Sequence, residues 1–94
     1  APSGVSFYRG SRFPRFANNL FIATLRGTML LRVQLESTPP RVASTEFLFE
    51  NTFGRLRDVV SGPDGLLYIA TNNRDGRGSP VSTDDRILRL TPAP

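Results

Sequence analysis

The hexapeptide LFIATL at residues 20–25 is the strongest sign of the fold, because a close copy occurs further along the chain as LLYIAT at residues 66–71. The alignment matches LFIAT at residues 20–24 with LYIAT at residues 67–71, an offset of 47 residues. Short, nearly continuous apolar runs of this kind are typical of β-strands that are covered on both faces. The LLRV of residues 30–33 aligns in the same order with the ILRL of residues 87–90. A repeat of about 40–50 residues predicts stacked units of one kind, and short strands within each unit favour propeller blades.

Short apolar runs separated by turn-forming residues occupy the rest of the chain, which contains eight Gly and eight Pro. This distribution is typical of an all-β protein. No segment shows the 3.6-residue spacing of apolar residues that marks an amphipathic helix. Alternation in the fourth predicted strand places Phe47 and Phe49 on the same face. The predicted strands are residues 5–8, 20–25, 29–36, 45–50, 55–60, 66–71 and 86–90.

The strand count divides the chain into two units. We predict that residues 1–50 form one complete, four-stranded antiparallel blade and that residues 51–94 form an incomplete final blade of three strands. A blade buries its faces against its neighbours and cannot cover them alone. We therefore expect about one and three-quarter blades of a larger ring, with the remaining blades or other copies of the chain as partners.

The residue types that are missing from the chain exclude several kinds of chemistry. Its 94 residues include no His, the usual general base near neutral pH, and no Cys for disulfides, thiolate nucleophiles or metal sites. All twelve basic residues are Arg, and they are scattered among eight acidic residues, so the net charge is only +4. This charge pattern does not predict a nucleic-acid-binding surface. No stretch is long and apolar enough to span a membrane, and none has the pattern of a signal peptide.

An ordered set of motifs carries a family resemblance. The motifs are APSG (1–4), LFIATLRG (20–27), RLRDV (55–59) and GPDGLLY (62–68), followed by NRDGRG (73–78) and DDRILR (84–89). In this order they resemble the C-terminal part of soluble quinoprotein sugar dehydrogenases. These are the glucose/sorbosone, or aldose sugar, dehydrogenases that use pyrroloquinoline quinone. The resemblance covers essentially the whole chain.

The resemblance implies a specific fold and site. In that family a six-bladed propeller holds pyrroloquinoline quinone in a central cleft, with calcium bound to it, and oxidises aldose sugars. Arg55 and Arg57 match the arginine pair that contacts the cofactor, and Arg26 matches a basic residue that touches the quinone. The last blade of the family ring takes its remaining strand from the N-terminus of the chain, which would account for the three-stranded second unit. A periplasmic or secreted location is also implied.

The departures from the family pattern limit what these residues can do alone. The catalytic base of the family is a His on an earlier blade, and this chain has none. The calcium ligands and substrate-contacting residues of the family also precede the matched region. We therefore expect no catalytic and no metal-binding residue here and no activity from the chain alone, and whether it binds the cofactor by itself is left open.

Three groups of residues have both a functional and an ordinary interpretation. Because Arg55 and Arg57 are two residues apart in a predicted strand, alternation places them on one face about 7 Å apart. There they can bind carboxylates, or they can simply be exposed to solvent. The segment 72–85 resembles a calcium-binding loop in containing Asn73, Asp75 and Gly76. Its residues do not match the EF-hand spacing, however, which favours an ordinary surface loop.

The adjacent Asp84 and Asp85 would face opposite ways at the start of a strand, so they would make a poor general acid/base pair.

Two functions from different classes follow from the sequence. The first is part of a quinoprotein oxidoreductase, in which Arg55, Arg57 and Arg26 bind a cofactor that carries the redox chemistry. The alternative is a non-catalytic propeller fragment that acts as an interaction or self-assembly module.

Overall fold

The computed structural model describes residues 2–17, 19–37, 40–74, 76 and 78–92 and, within them, seven β-strands and one short 3₁₀ turn at Pro14–Phe16. The described residues form no α-helix. The strands are β1 (Pro2–Phe7), β2 (Asn19–Thr24), β3 (Leu30–Ser37), β4 (Pro40–Leu48), β5 (Leu56–Ser61), β6 (Leu67–Thr71) and β7 (Ile87–Leu90).

The strands form two antiparallel sheets in which chain neighbours are also sheet neighbours. The first sheet has the order β1-β2-β3-β4 and the second has the order β5-β6-β7. Strands β2 and β6, which carry the two copies of the repeat, both lie second in their sheets, and β3 and β7 both lie third. The predicted all-β class and the equivalence of the repeated strands are therefore confirmed, whereas the division into two blade domains stays a prediction.

The core lies between the two sheets and is built from both. Alternation brings Phe21 and Ala23 of β2 to one face, where Ala23 is paired across the sheet with Leu30 of β3. These side chains are fully buried and form one cluster with Leu56 and Ile69 of the second sheet. Burying a side chain of this size stabilises the fold by about 1.5–3 kcal/mol, so this shared cluster fixes the packing of one sheet on the other.

The opposite faces of both sheets also carry apolar side chains. Val5 and Phe7 of the first sheet are 57% and 46% exposed, and Val60 and Ile87 of the second sheet are 51% and 79% exposed. Val5 and Phe7 pair with Ile22 and Leu20 of β2, so β2 presents apolar residues on this face as well as in the core, which explains its nearly continuous apolar sequence. Surfaces of this kind suit a blade whose neighbours would cover them.

Strand β4 differs from its prediction. It begins at Pro40 and ends at Leu48, instead of covering residues 45–50. Phe49 follows the strand with a positive φ of 56° and packs against the core cluster, while Phe47 is 54% exposed. The prediction that Phe47 and Phe49 share one face was therefore wrong, because the strand ends between them and alternation no longer applies.

A buried tyrosine joins the two sheets at one end of the molecule. The Tyr8 hydroxyl donates a hydrogen bond to the carbonyl oxygen of Gly65 at 2.6 Å and accepts one from the Phe13 backbone N–H at 3.0 Å. Its ring makes edge contacts with Phe13 and Phe16, which cover the end of the core. The connection from β1 to β2 is thus tied to the turn between β5 and β6.

This arrangement predicts that Tyr8→Phe destabilises the protein by about 1–3 kcal/mol, because the variant leaves a buried carbonyl and a partly buried N–H without their partner. The matched control is Tyr68→Phe, which removes a hydroxyl hydrogen bond to Asp64 at an exposed site. Urea unfolding should show a clearly smaller loss for the control. Equal losses would mean that the Tyr8 hydroxyl does not hold the sheets together.

Candidate functional site

Three chain connections meet at the end of the molecule opposite Tyr8 and enclose an open cleft of about 310 Å³. They are the turn from β2 to β3, the connection from β4 to β5 and the connection from β6 to β7. We call this space the arginine cleft. The described residues that line it are Leu25, Arg26, Thr28, Gly54, Arg55, Asn73, Gly78 and Ser79.

Two of the three predicted site residues share this cleft. Arg26 is exposed on the turn after β2, and Arg55 is half-buried immediately before β5. Each guanidinium group can donate two parallel hydrogen bonds to a carboxylate. The cleft therefore suits a ligand that carries several carboxylates.

Arg57 is placed differently. Strand β5 begins at Leu56, and its pairing with β6 is irregular between Leu56 and Asp58, so Arg57 falls within a bulge. The exposed Arg57 is not among the described residues that line the arginine cleft. Because Arg55 precedes the strand and a bulge follows it, strand alternation does not determine the relative directions of these two side chains, and their common face stays a prediction.

Asn73 supports the wall of the cleft and is 3% exposed. Its side-chain oxygen accepts a hydrogen bond from the Arg55 backbone N–H at 2.8 Å. Its side-chain nitrogen donates to the carbonyl oxygen of Phe53 at 2.9 Å and to the Asp84 carboxylate at 3.0 Å. One buried amide therefore joins the connection before β5 to the connection before β7.

Two glycines allow this close packing. Gly54 has a φ of +78°, and a Cβ atom there would lie 2.3 Å from the Asn73 side-chain oxygen. A Cβ at Gly78 would lie 2.9 Å from the Asn73 Cα and 3.0 Å from the Arg55 Cδ. Both positions require glycine, the first for its backbone conformation as well as for space.

Asp84 and Asp85 hold the same segment from the other side. Asp84 accepts hydrogen bonds from the Val81 N–H at 2.9 Å and from Asn73, and Asp85 accepts one from the Asn73 N–H at 2.5 Å. The expectation that the two side chains diverge at a strand start was wrong, since both lie before β7 and approach Asn73. The hydrogen bond from Val81 lowers the pKa of Asp84, with smaller contributions from Asn73 and Arg86, although burial opposes the shift.

The calcium-loop interpretation gains no support. No group of three or more acidic or histidine side chains is close enough to hold a metal ion in the described part of the chain. The side-chain oxygen of Asn73 is used by Arg55, and Gly76 has an ordinary positive φ of 93°. Asp75 lies outside the described residues.

A second groove of about 280 Å³ continues from the arginine cleft, with Thr28, Gly54, Asn73 and Ser79 common to both. Thr28 and Asn51 in its wall both have a positive φ of 52°, and the Thr28 hydroxyl donates to the Asn51 side-chain oxygen at 2.7 Å. Non-glycine residues in this conformation are uncommon and concentrate at functional sites. Sequence reasoning missed both Asn51 and the structural role of Asn73, since neither motif nor alternation reports a backbone angle or a long-range hydrogen bond.

Comparison with known proteins gives the family. The family model described as glucose/sorbosone dehydrogenase matches residues 1–89. The chain belongs to the glucose/sorbosone dehydrogenase family. The predicted resemblance is confirmed, and with it the assignment of the two sheets to part of a β-propeller.

Individual relatives agree with the family model. The aldose sugar dehydrogenase YliI of Escherichia coli K12 is 32% identical over 82 residues, which cover 87% of this chain and 22% of the relative. A protein of Thermus thermophilus described as a glucose dehydrogenase has a TM-score of 0.76 and 44% identity, over 94% of this chain and 25% of its own.

A cofactor-bound structure is also similar. The PQQ-bound form of the aldose sugar dehydrogenase of Streptomyces coelicolor has a TM-score of 0.75 and 36% identity, over 96% of this chain and 24% of its own. The chain thus spans about a quarter of the length of the relatives it matches. Within the residues that the structure describes, no helix is long and apolar enough to cross a membrane.

The lowered pKa of Asp84 predicts a pH dependence. A carboxylate whose pKa is lower in the folded state stabilises the fold above its ordinary pKa of 3.8, and this contribution is lost as the pH falls through the folded value. We expect the stability of the protein to fall between roughly pH 5 and pH 2, and Asp84→Asn to reduce this slope. Urea unfolding at several pH values measures it; an unchanged slope in the variant would contradict the prediction.

Proposed function

We propose that this chain forms part of the cofactor site of a quinoprotein dehydrogenase that oxidises aldose sugars with pyrroloquinoline quinone. The observation that carries the proposal is the arginine cleft, which brings Arg26 and Arg55 from different sheets to one space. Membership of the family supports it, as does the similarity to a PQQ-bound aldose sugar dehydrogenase.

The residues of the cleft fit the cofactor chemically. Pyrroloquinoline quinone carries several carboxylates, and charge-assisted hydrogen bonds from Arg26 and Arg55 would bind and orient them. Glycines at positions 54 and 78 leave room at the wall of the cleft, where any larger residue would collide with Asn73. A bound quinone would supply the acceptor for the hydride that leaves the sugar. The residues of this chain supply binding and orientation, as proteins do for most redox cofactors.

Arg57 enters the proposal through the family resemblance. It is exposed in the bulge of β5, two residues after the cleft residue Arg55. Bulges redirect side chains near active sites, so we propose that Arg57 contacts the cofactor from a position outside the cleft. We assign calcium binding and the catalytic base to parts of the whole enzyme other than these residues, which include no His.

The apolar outer faces support the proposed blade architecture. Residues 1–50 would be one complete blade and residues 51–94 the three-stranded final blade of a six-bladed ring. The exposed Val5 and Ile87, on opposite outer faces, would then be covered by the remaining blades or by other copies of the chain. A periplasmic or secreted location belongs to the same proposal. The same faces favour the second candidate, a non-catalytic interaction or self-assembly module.

The proposed cofactor role predicts that Arg55→Ala and Arg26→Ala each weaken quinone binding about 10- to 100-fold, because each removes charge-assisted hydrogen bonds. Arg9→Ala is the matched control, since Arg9 lines an open cleft at the other end of the molecule. Titration of the calcium-loaded whole protein with quinone, followed by absorbance, measures the change. Equal affinity in all three variants would rule out the arginine cleft as the cofactor site.

We also expect the isolated 94-residue chain to show no sugar oxidation when quinone and calcium are added, because it contains no His to act as the base of the family reaction. An assay with glucose and other aldoses tests this, with the whole protein as positive control. Turnover by the purified chain, free of contaminating dehydrogenase, would show that the reaction uses another base.

A further inference from the structure

Asn73 makes an unusual set of contacts for a residue in a long connection. Its side-chain and backbone groups bond to two separate stretches of the chain, residues 53–55 and 84–85, at distances between 2.5 and 3.0 Å. Both hydrogens of its side-chain amide have acceptors, and its side-chain oxygen has a donor. A satisfied polar network of this kind, buried to 3% exposure, holds its members in one arrangement.

The chemistry of the network requires an amide at position 73. The side chain must accept from the Arg55 N–H and also donate to the carbonyl oxygen of Phe53 and the carboxylate of Asp84. An ionised aspartate only accepts, and it would place a further negative charge beside Asp84. Alanine would remove the acceptor of the Arg55 N–H and the donor to the Phe53 carbonyl.

The network bears directly on the arginine cleft. The Arg55 backbone is bonded at both of its peptide groups, since its N–H donates to Asn73 and its carbonyl oxygen accepts from the Asn72 N–H at 2.9 Å. A Cβ atom at Gly78 would lie 3.0 Å from the Arg55 Cδ, so this glycine also borders the aliphatic part of the Arg55 side chain. The segment that contains Asn73 therefore fixes the position of the backbone from which the Arg55 side chain extends.

We propose that Asn73 is a positioning residue for cofactor binding, which acts by fixing Arg55 in the wall of the arginine cleft. This inference rests on the proposed function. A ligand that meets an already ordered guanidinium group avoids the cost of ordering that side chain during binding. Loss of the Asn73 amide should therefore weaken quinone binding through Arg55, without removing any group that itself touches the quinone.

The test compares Asn73→Asp and Asn73→Ser with the parent in the whole protein, with its natural flanking sequence. Quinone affinity is measured by titration in the presence of calcium, and stability is measured by urea unfolding of the apoprotein. We expect affinity to fall about tenfold in Asn73→Asp and by less in Asn73→Ser, whose hydroxyl can replace part of the network. Val59→Ala is the control: it is 1% exposed in the core, so it should lower stability while leaving affinity unchanged.

A double-mutant cycle separates positioning through Arg55 from a general structural effect. In the Arg55→Ala background, Asn73→Asp should cause little further loss of affinity, because the side chain it positions is already absent. If Arg55→Ala weakens quinone binding and the Asn73 variants do not, this inference is overturned and the proposed function is left intact. Additive losses in the cycle would also overturn it. No effect of Arg55→Ala would overturn the proposed function and the inference together.

Discussion

The packing of one sheet against the other is the constraint on which the rest of the structure depends. Phe21 and Leu30 from the first sheet share a buried cluster with Leu56, Leu67 and Ile69 from the second. Because these side chains fill the space between the sheets, the strands cannot shift in register without exposing them. The connections at each end of the strands are therefore held at fixed positions, and Arg26 on the turn after β2 can share a cleft with Arg55, which precedes β5.

Different hydrogen-bonded side chains join the chain connections at the two ends of this packed unit. At one end, the Tyr8 hydroxyl joins the β1–β2 connection to the turn at Gly65. At the other end, the Asn73 amide joins the connection before β5 to the one before β7, and Asp84 and Asp85 keep the amide in place. The second end is the more elaborate, and it also contains Thr28 and Asn51 in left-handed conformations. Close packing, strain and cationic side chains thus coincide at the end where we place the cofactor.

The sequence predicts the sheets well and the site only in part. The repeat of LFIATL places β2 and β6 correctly, because strand formation here follows from local apolar runs and turns. The end of β4 and the positions of Phe47 and Phe49 were mispredicted, because the strand stops before the positive φ of Phe49, which the residue types do not reveal. The bulge at Arg57 interrupts the alternation from which its pairing with Arg55 was predicted, and such a bulge leaves no clear sign in the sequence. The role of Asn73 depends on hydrogen bonds to residues 18–20 positions earlier, which no local pattern reports.

The central claim is that Arg26 and Arg55 jointly bind the carboxylates of pyrroloquinoline quinone. A crystal structure of the whole protein with the quinone and calcium tests it most directly. The account predicts quinone carboxylate oxygens about 2.7–3.2 Å from guanidinium nitrogens of both residues, with the Asn73 to Arg55 hydrogen bond retained. A quinone bound elsewhere, with Arg26 and Arg55 facing only solvent, would contradict it.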